Sequence, residues 1–162
     1  QALKKGARYI VSSKNITKHK NKIIKVESET SFLNHFASQK RAQSKAKIIA
    51  ITGSAGKTSL KNLIKDQLDS FGETFSSPKS FNNYLGVPLS LSELNVAHQF
   101  GIFEVGMSKA GEIHSLSNLI KPHVGIITNI GEAHIENFEN LNGIAKAKIT
   151  NVNSKSNKRI TN

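Results

Sequence analysis

Residues 47–59 read KIIAITGSAGKTS, and this stretch decides the fold. Lys47 to Thr52 is an apolar, isoleucine-rich run of the kind that fills a strand buried on both faces. The turn Gly53-Ser54-Ala55-Gly56 then leads into a helix expected from Lys57 to about Phe71, with Leu60, Leu63, Ile64, Leu68 and Phe71 as its apolar stripe. Glycines let the backbone turn tightly, so that successive N–H groups point inward at phosphate oxygens. The partial positive charge at the start of the following helix adds to that attraction. On this reading Lys57 reaches the terminal phosphates and the Thr58 hydroxyl ligates Mg²⁺. Gly53, Ser54, Ala55, Gly56, Lys57, Thr58 and Ser59 are therefore the expected nucleotide-binding residues. The common G-x-x-x-x-G-K-[ST] pattern is incomplete, because Ile51 stands where its first glycine would be. An ordinary glycine turn with a solvated lysine would share the Gly-Lys-Thr tripeptide; the strand-to-helix junction is what favours phosphate.

Working outward, residues 101–105 (GIFEV) and 124–128 (VGIIT) are further apolar strands, with helices expected near 85–94 and 112–120. Upstream, residues 7–12 (ARYIVS) and 22–27 (KIIKVE) are short β-type runs separated by a polar turn. Residues 29–43 carry Phe32, Leu33, Phe36 and Ala37 at helical spacing, and the polar stretch 39–47 reads as the end of that helix plus a linker. Strands alternating with helical stretches predict an α/β fold with a mostly parallel sheet and crossover helices.

Glu104 closes the apolar run Ile102-Phe103 at the carboxyl end of a central strand, the edge where open α/β sheets bind ligands. A carboxylate buried there without a partner is costly, whereas a hard cation beside a triphosphate balances it. A helix-capping or solvated glutamate is the plainer alternative. His134 follows the last strand in TNIGEAH (residues 128–134) and is expected at the same sheet edge, as a metal ligand or as a structural histidine. Histidines 19, 35, 98, 114 and 123 have no partner spacing and receive no role.

The net charge of +12 comes from 23 Lys/Arg against 11 Asp/Glu. Its distribution says more than its total: residues 1–47 hold a net +10, residues 48–148 a net −1 and the last fourteen residues +3. A nucleic-acid binder concentrates basic residues on its recognition element, and here the segment with the motifs is nearly neutral, so nucleic acid is not the expected partner. The absence of cysteine excludes a disulfide scaffold, a thiolate metal site and a cysteine nucleophile. No apolar run approaches the roughly 18 residues of a membrane helix, and residues 1–13 contain no signal-type stretch, so membrane insertion is not expected. The chain starts with Gln, which suggests a processed chain or a piece of a longer one.

With these residues in hand, the chain resembles the Mur ligases, most closely the branch that adds D-alanyl-D-alanine. The family's short loop T-G-x-x-G-K-T is matched in full by TGSAGKT at 52–58, which accounts for the missing first glycine. FNNYLGVP (81–88) is similar to its N-N-x-x-G-V-P segment, and EVGM (104–107) followed by GEI (111–113) to its E-x-G…G-E-I segment. TNIGEAH (128–134) and GIAKAK (143–148) complete five ordered motifs. The resemblance implies an ATP-dependent ligase of peptidoglycan precursor synthesis, cytoplasmic and monomeric. Such a ligase phosphorylates the terminal carboxylate of UDP-N-acetylmuramoyl-tripeptide and passes the acyl group to the amine of D-alanyl-D-alanine. It implies ATP and Mg²⁺ as cofactors, with Lys57, His134 and Lys148 in catalytic roles. Thr58 and Glu104 would hold one Mg²⁺, and His134 with a carbamylated Lys148 (Lys146 being the runner-up) a second. Asn82 and Asn83 would lie near substrate or phosphate, although Asn-Asn also suits the turn that begins a helix.

By the same resemblance, residues 1–44 correspond to the C-terminal part of an N-terminal, UDP-substrate domain of small α/β type. Residues 45–162 correspond to an incomplete central ATP-binding domain, in which the polar stretch 149–162 departs from the family's apolar helix. A fragment of this extent is expected to be inactive alone as a ligase. The alternatives are another Mur or folylpolyglutamate-synthase-like ligase, separable by the amino acceptor, and an unrelated P-loop NTPase or kinase. The last would need an arginine or general base near the γ-phosphate, and residues 48–148 contain no arginine.

Overall fold

The computed structural model describes residues 1–79, 81–107 and 111–131. Two strands, β1 (Ile10–Ser12) and β2 (Ile23–Lys25), pair in parallel. Helix α1 (Glu29–Gln43) follows. Ser28 caps it, its hydroxyl accepting from the Ser31 N–H, while Glu29 sits in the first turn and Lys40 and Arg41 in the last, where each favours the helix dipole.

The main sheet consists of β3 (Lys47–Thr52), β4 (Thr74–Ser76), β5 (Phe100–Glu104) and β6 (Val124–Ile127). Its order is β4-β5-β3-β6 and all three pairings are parallel. The crossovers are α2 (Lys57–Leu68), α3 (Gly86–Ser92) and α4 (Glu112–Ile120). The expected α/β architecture is therefore observed. The two central strands bury Ile48, Ile51, Ile102 and Phe103 completely, as both faces of a parallel sheet demand. One core cluster joins Ile48, Phe75, Val87, Leu91, Phe103, Leu116 and Ile120 with Ala37, so that α1 packs onto the main sheet's own helices. Arg41 fastens the same contact by donating from Nε to the Ile120 carbonyl and from Nη2 to that of Lys121.

Three differences from the sequence reading have local causes. Strand β4 was not anticipated, since it is three residues long and Phe75 is its one apolar side chain. Helix α2 ends at Leu68 rather than near Phe71, and Phe71 is 74% exposed. The apolar stripe on α2 is only partly buried. Leu60, Ile64 and Leu68 are half-buried and Leu63 is exposed, whereas the buried residue of this helix is Lys61. Leu63 lies two residues, roughly 200° around the helix, from Lys61 and so faces away from the sheet.

His123 carries a structural task that its isolated position in the sequence does not reveal. Its N–H donates to the Ile48 carbonyl, and its Nδ1 accepts from the Ile48 N–H, both at 2.8 Å. The ring thus extends the β3–β6 ladder by one rung. Burial of its bonded edge, then the charges of Arg41 and Lys47, hold its pKa below the ordinary histidine value. The folded chain therefore binds this proton less readily than the unfolded chain, and stability falls as pH drops through about 6.5, the unfolded value. Thermal unfolding followed between pH 8 and 5 should show a smaller acid loss for H123N, which keeps an acceptor but does not titrate.

Candidate nucleotide site

Strand β3 lies between β5 and β6, so the chain leaves its carboxyl end towards one side of the sheet and later returns on the other. Such a switch point opens a crevice, and residues 53–56 occupy it. Gly53 has φ 147°, and a Cβ there would stand 1.9 Å from Thr128 Oγ1. Gly56, at φ 78°, takes the left-handed conformation directly before α2. No other residue type meets both demands at low cost.

The connection after β6 laces this loop from the far side. Ser54 N–H donates to the Asn129 carbonyl at 3.1 Å and Ala55 N–H to Asn129 Oδ1 at 2.9 Å. Thr128 donates from its N–H to the Thr52 carbonyl and from Oγ1 to that of Ala55. Ser54 Oγ donates to the Gly131 carbonyl and accepts from its N–H. The sequence placed residues 128–134 at this edge without assigning these contacts. His134, Lys146, Lys148 and the stretch 149–162 lie outside the described residues.

Lys57 Nζ folds back to donate to the Gly53 carbonyl at 2.7 Å. Thr58 Oγ1 donates to Glu104 Oε2 at 2.8 Å, which brings together two of the expected metal ligands. Glu104 is 2% exposed, and Asn82 Nδ2 donates to its other oxygen at 2.8 Å. Its backbone N–H donates to Ser77 Oγ. Lys61, also 2% exposed, forms an ion pair with Oε2 at 3.7 Å. Asn83 turns elsewhere: its Oδ1 accepts from the N–H groups of Leu85 and Gly86 and shapes the start of α3. The segment's glycine is required there, since a Cβ on Gly86 would stand 2.6 Å from the Phe81 backbone. Of the two asparagines, Asn82 reaches the acidic centre. Sequence reasoning missed Lys61 and Ser77; the one signal for Lys61 was its place one helical turn after Thr58.

The donor set suits a phosphate with a hard cation. Hydroxyl and carboxylate oxygens are the ligands Mg²⁺ prefers, and the first-turn N–H groups of α2 have no intrahelical acceptors. Thr52 Oγ1, buried at the start of the loop, has no hydrogen-bond partner among the described residues. No group of three or more His, Cys, Asp or Glu assembles among the described residues.

The sequence profile of the family described as Mur ligase middle domain matches residues 51–161. The UDP-N-acetylmuramoyl-tripeptide–D-alanyl-D-alanine ligase of Rickettsia prowazekii is 44% identical over 148 residues, which is 91% of this chain and 33% of that protein. The ligase of the same name from Buchnera aphidicola (subsp. Acyrthosiphon pisum) is also 44% identical, over 91% of this chain and 32% of that protein. The chain thus spans about one third of the length of these curated relatives. Among solved structures, MurF ligase from Thermotoga maritima in complex with ADP superposes with a TM-score of 0.82 at 28% identity, over 96% of this chain and 36% of that one. A crystal structure of MurF from Acinetobacter baumannii gives 0.81 at 33% identity, over 90% and 32%. A profile match over most of the sequence, on a fold with this loop and this acidic strand end, has one meaning: the chain belongs to the Mur ligase family.

Proposed function

We propose that this chain is the nucleotide-binding part of an ATP-dependent amide ligase that joins D-alanyl-D-alanine to UDP-N-acetylmuramoyl-tripeptide. The observation that carries the reading is the 2.8 Å hydrogen bond from Thr58 to a buried Glu104, which couples the glycine loop to the acidic strand end. The names of the relatives supply the substrates, and the ADP complex of the Thermotoga protein supports the nucleotide.

In this reading the N–H groups of Gly56 and of the first turn of α2, together with Lys57, hold the β- and γ-phosphates, because Asn129 already takes those of Ser54 and Ala55, and Lys57 exchanges its bond to the Gly53 carbonyl for one to phosphate. Thr58 and Glu104 would hold Mg²⁺, which would supply positive charge against the transferring phosphoryl group. Asn82 holds the Oε1 side of the carboxylate and Thr58 the Oε2 side, which fixes its plane. The tripeptide carboxylate displaces ADP from the γ-phosphorus, and the amine of the dipeptide then displaces phosphate from the acyl phosphate. The site's task is to hold two anions in line, which is positioning more than chemistry. His134 and a carbamylated Lys148 would hold a second Mg²⁺ in this reading. Among the described residues no helix is long and apolar enough to cross a membrane; the cytoplasm is the compartment that ATP and a UDP-linked substrate suit.

Titration calorimetry of ADP and ATP into the chain, with Mg²⁺ and with EDTA, tests the nucleotide reading; no heat with either nucleotide overturns it. K57A should weaken binding about tenfold or more, because a charge-assisted contact to phosphate is lost. T58A and E104Q should instead remove most of the Mg²⁺-dependent gain and spare the metal-free affinity. G53A should lower both affinity and melting temperature, since the added methyl group collides with Thr128.

A further inference from the structure

Lys61 has no part in the reading so far, yet it is the buried residue of α2 and as buried as Glu104. A buried ammonium is costly unless its N–H bonds are used and its charge is matched. Its Nζ donates to the Ser77 carbonyl at 2.7 Å and to the Lys79 carbonyl at 2.6 Å, and faces Glu104 Oε2 at 3.7 Å. Both carbonyls belong to the stretch between β4 and α3, which touches Glu104 twice more: Ser77 Oγ takes its N–H and Asn82 Nδ2 holds Oε1. Lys79 holds a left-handed φ of 47°, a conformation that a lysine keeps only when its surroundings fix it. Lys61 thus ties down the stretch that carries Asn82 and at the same time supplies the charge opposite Glu104.

We propose that Lys61 is a positioning residue for the metal side of the nucleotide site. It orients the Glu104 carboxylate so that Oε2 meets Thr58 and Oε1 meets Asn82. The inference deepens the nucleotide reading and rests on it. A lysine with a purely structural role would stiffen the β4–α3 stretch and affect binding equally with and without metal. A positioning role acts through Glu104, so its loss is felt where the metal is.

Two measurements on the whole chain test this. The first is a double-mutant cycle of thermal unfolding in EDTA with K61M, E104Q and K61M/E104Q. Each single variant leaves one buried charge unmatched and should melt well below the parent. The double variant should lose clearly less than the two losses combined, because removing both partners of a buried pair costs little. The second is ADP affinity: K61M should bind about tenfold more weakly in Mg²⁺, with metal-free affinity unchanged. Additive losses in the cycle, or a K61M affinity loss of the same size in EDTA as in Mg²⁺, would overturn the proposal. So would an unchanged K61M affinity in Mg²⁺ while the parent chain binds normally. If K61M does not fold but the double variant does, the coupling is supported. If neither folds, removing the opposite charge gives no rescue, the ion pair does not couple and the proposal fails. A parent chain that binds no ADP overturns the nucleotide reading itself, and the positioning role with it; the cycle still reports whether the ion pair couples.

Discussion

The carboxylate of Glu104 is the constraint around which the rest is arranged. Only 2% of the residue is exposed, and a carboxylate so buried without partners would cost several kcal/mol. Three side chains from two elements answer it. The first turn of α2 supplies Thr58, its second supplies Lys61, and the β4–α3 stretch supplies Asn82. None of these partners is near Glu104 in sequence, so the carboxylate is satisfied only once β3, β4 and β5 are paired in register. The pairing of Ile51 with Glu104 places the strand that ends in the glycine loop beside the strand that ends in the acid. A chemical demand at one residue thereby helps to fix the sheet.

The opposite side of β3 makes a complementary demand. Strand β6 pairs Thr52 with Ile127, so Thr128 and Asn129 emerge directly against the glycine loop. Their hydrogen bonds to residues 52, 54 and 55 hold that loop from outside and take the N–H groups of Ser54 and Ala55. Gly53 is obligatory for this reason as much as for its backbone angle, since the Thr128 side chain occupies the space where a Cβ would be. The loop is thus braced by β6 on one side and linked through Thr58 to β5 on the other.

How much of this was legible in the sequence follows from how local each signal is. The α/β class, the glycine loop and the strand end at Glu104 were readable, because each rests on periodicity or on a short contiguous motif. Helix α4 was delimited correctly as residues 112–120, and α1 as residues 29–43. Strand β4 was not readable, since a three-residue strand with one apolar side chain has no pattern to detect. Lys61 was hidden for a different reason. A lysine on a helix is ordinarily solvated, and its burial depends on carbonyls 16 and 18 residues away and on a carboxylate on another strand. His123 was hidden in the same way, its bond reaching 75 residues back to Ile48.

These hidden contacts also bear on how the site can work. Lys57 rests on a carbonyl of its own loop, and Thr58 shares one oxygen of Glu104. In the proposed function each bond would be exchanged for a bond to phosphate or metal by a side-chain movement, which keeps the reorganisation that opposes binding small. The contacts at the back are of another kind. Lys61 with two carbonyls, Ser77 with the Glu104 N–H, and Asn129 with the loop each bond a side chain to backbone. They have no reason to exchange when a nucleotide arrives. The site therefore divides into a face whose bonds are replaceable and a frame whose bonds are not. Glu104 belongs to both, with Oε1 held in the frame by Asn82 and Oε2 shared between Lys61 of the frame and Thr58 of the face. In the proposed function, a carboxylate fixed by the frame and shared with the face would position the cation beside the anions.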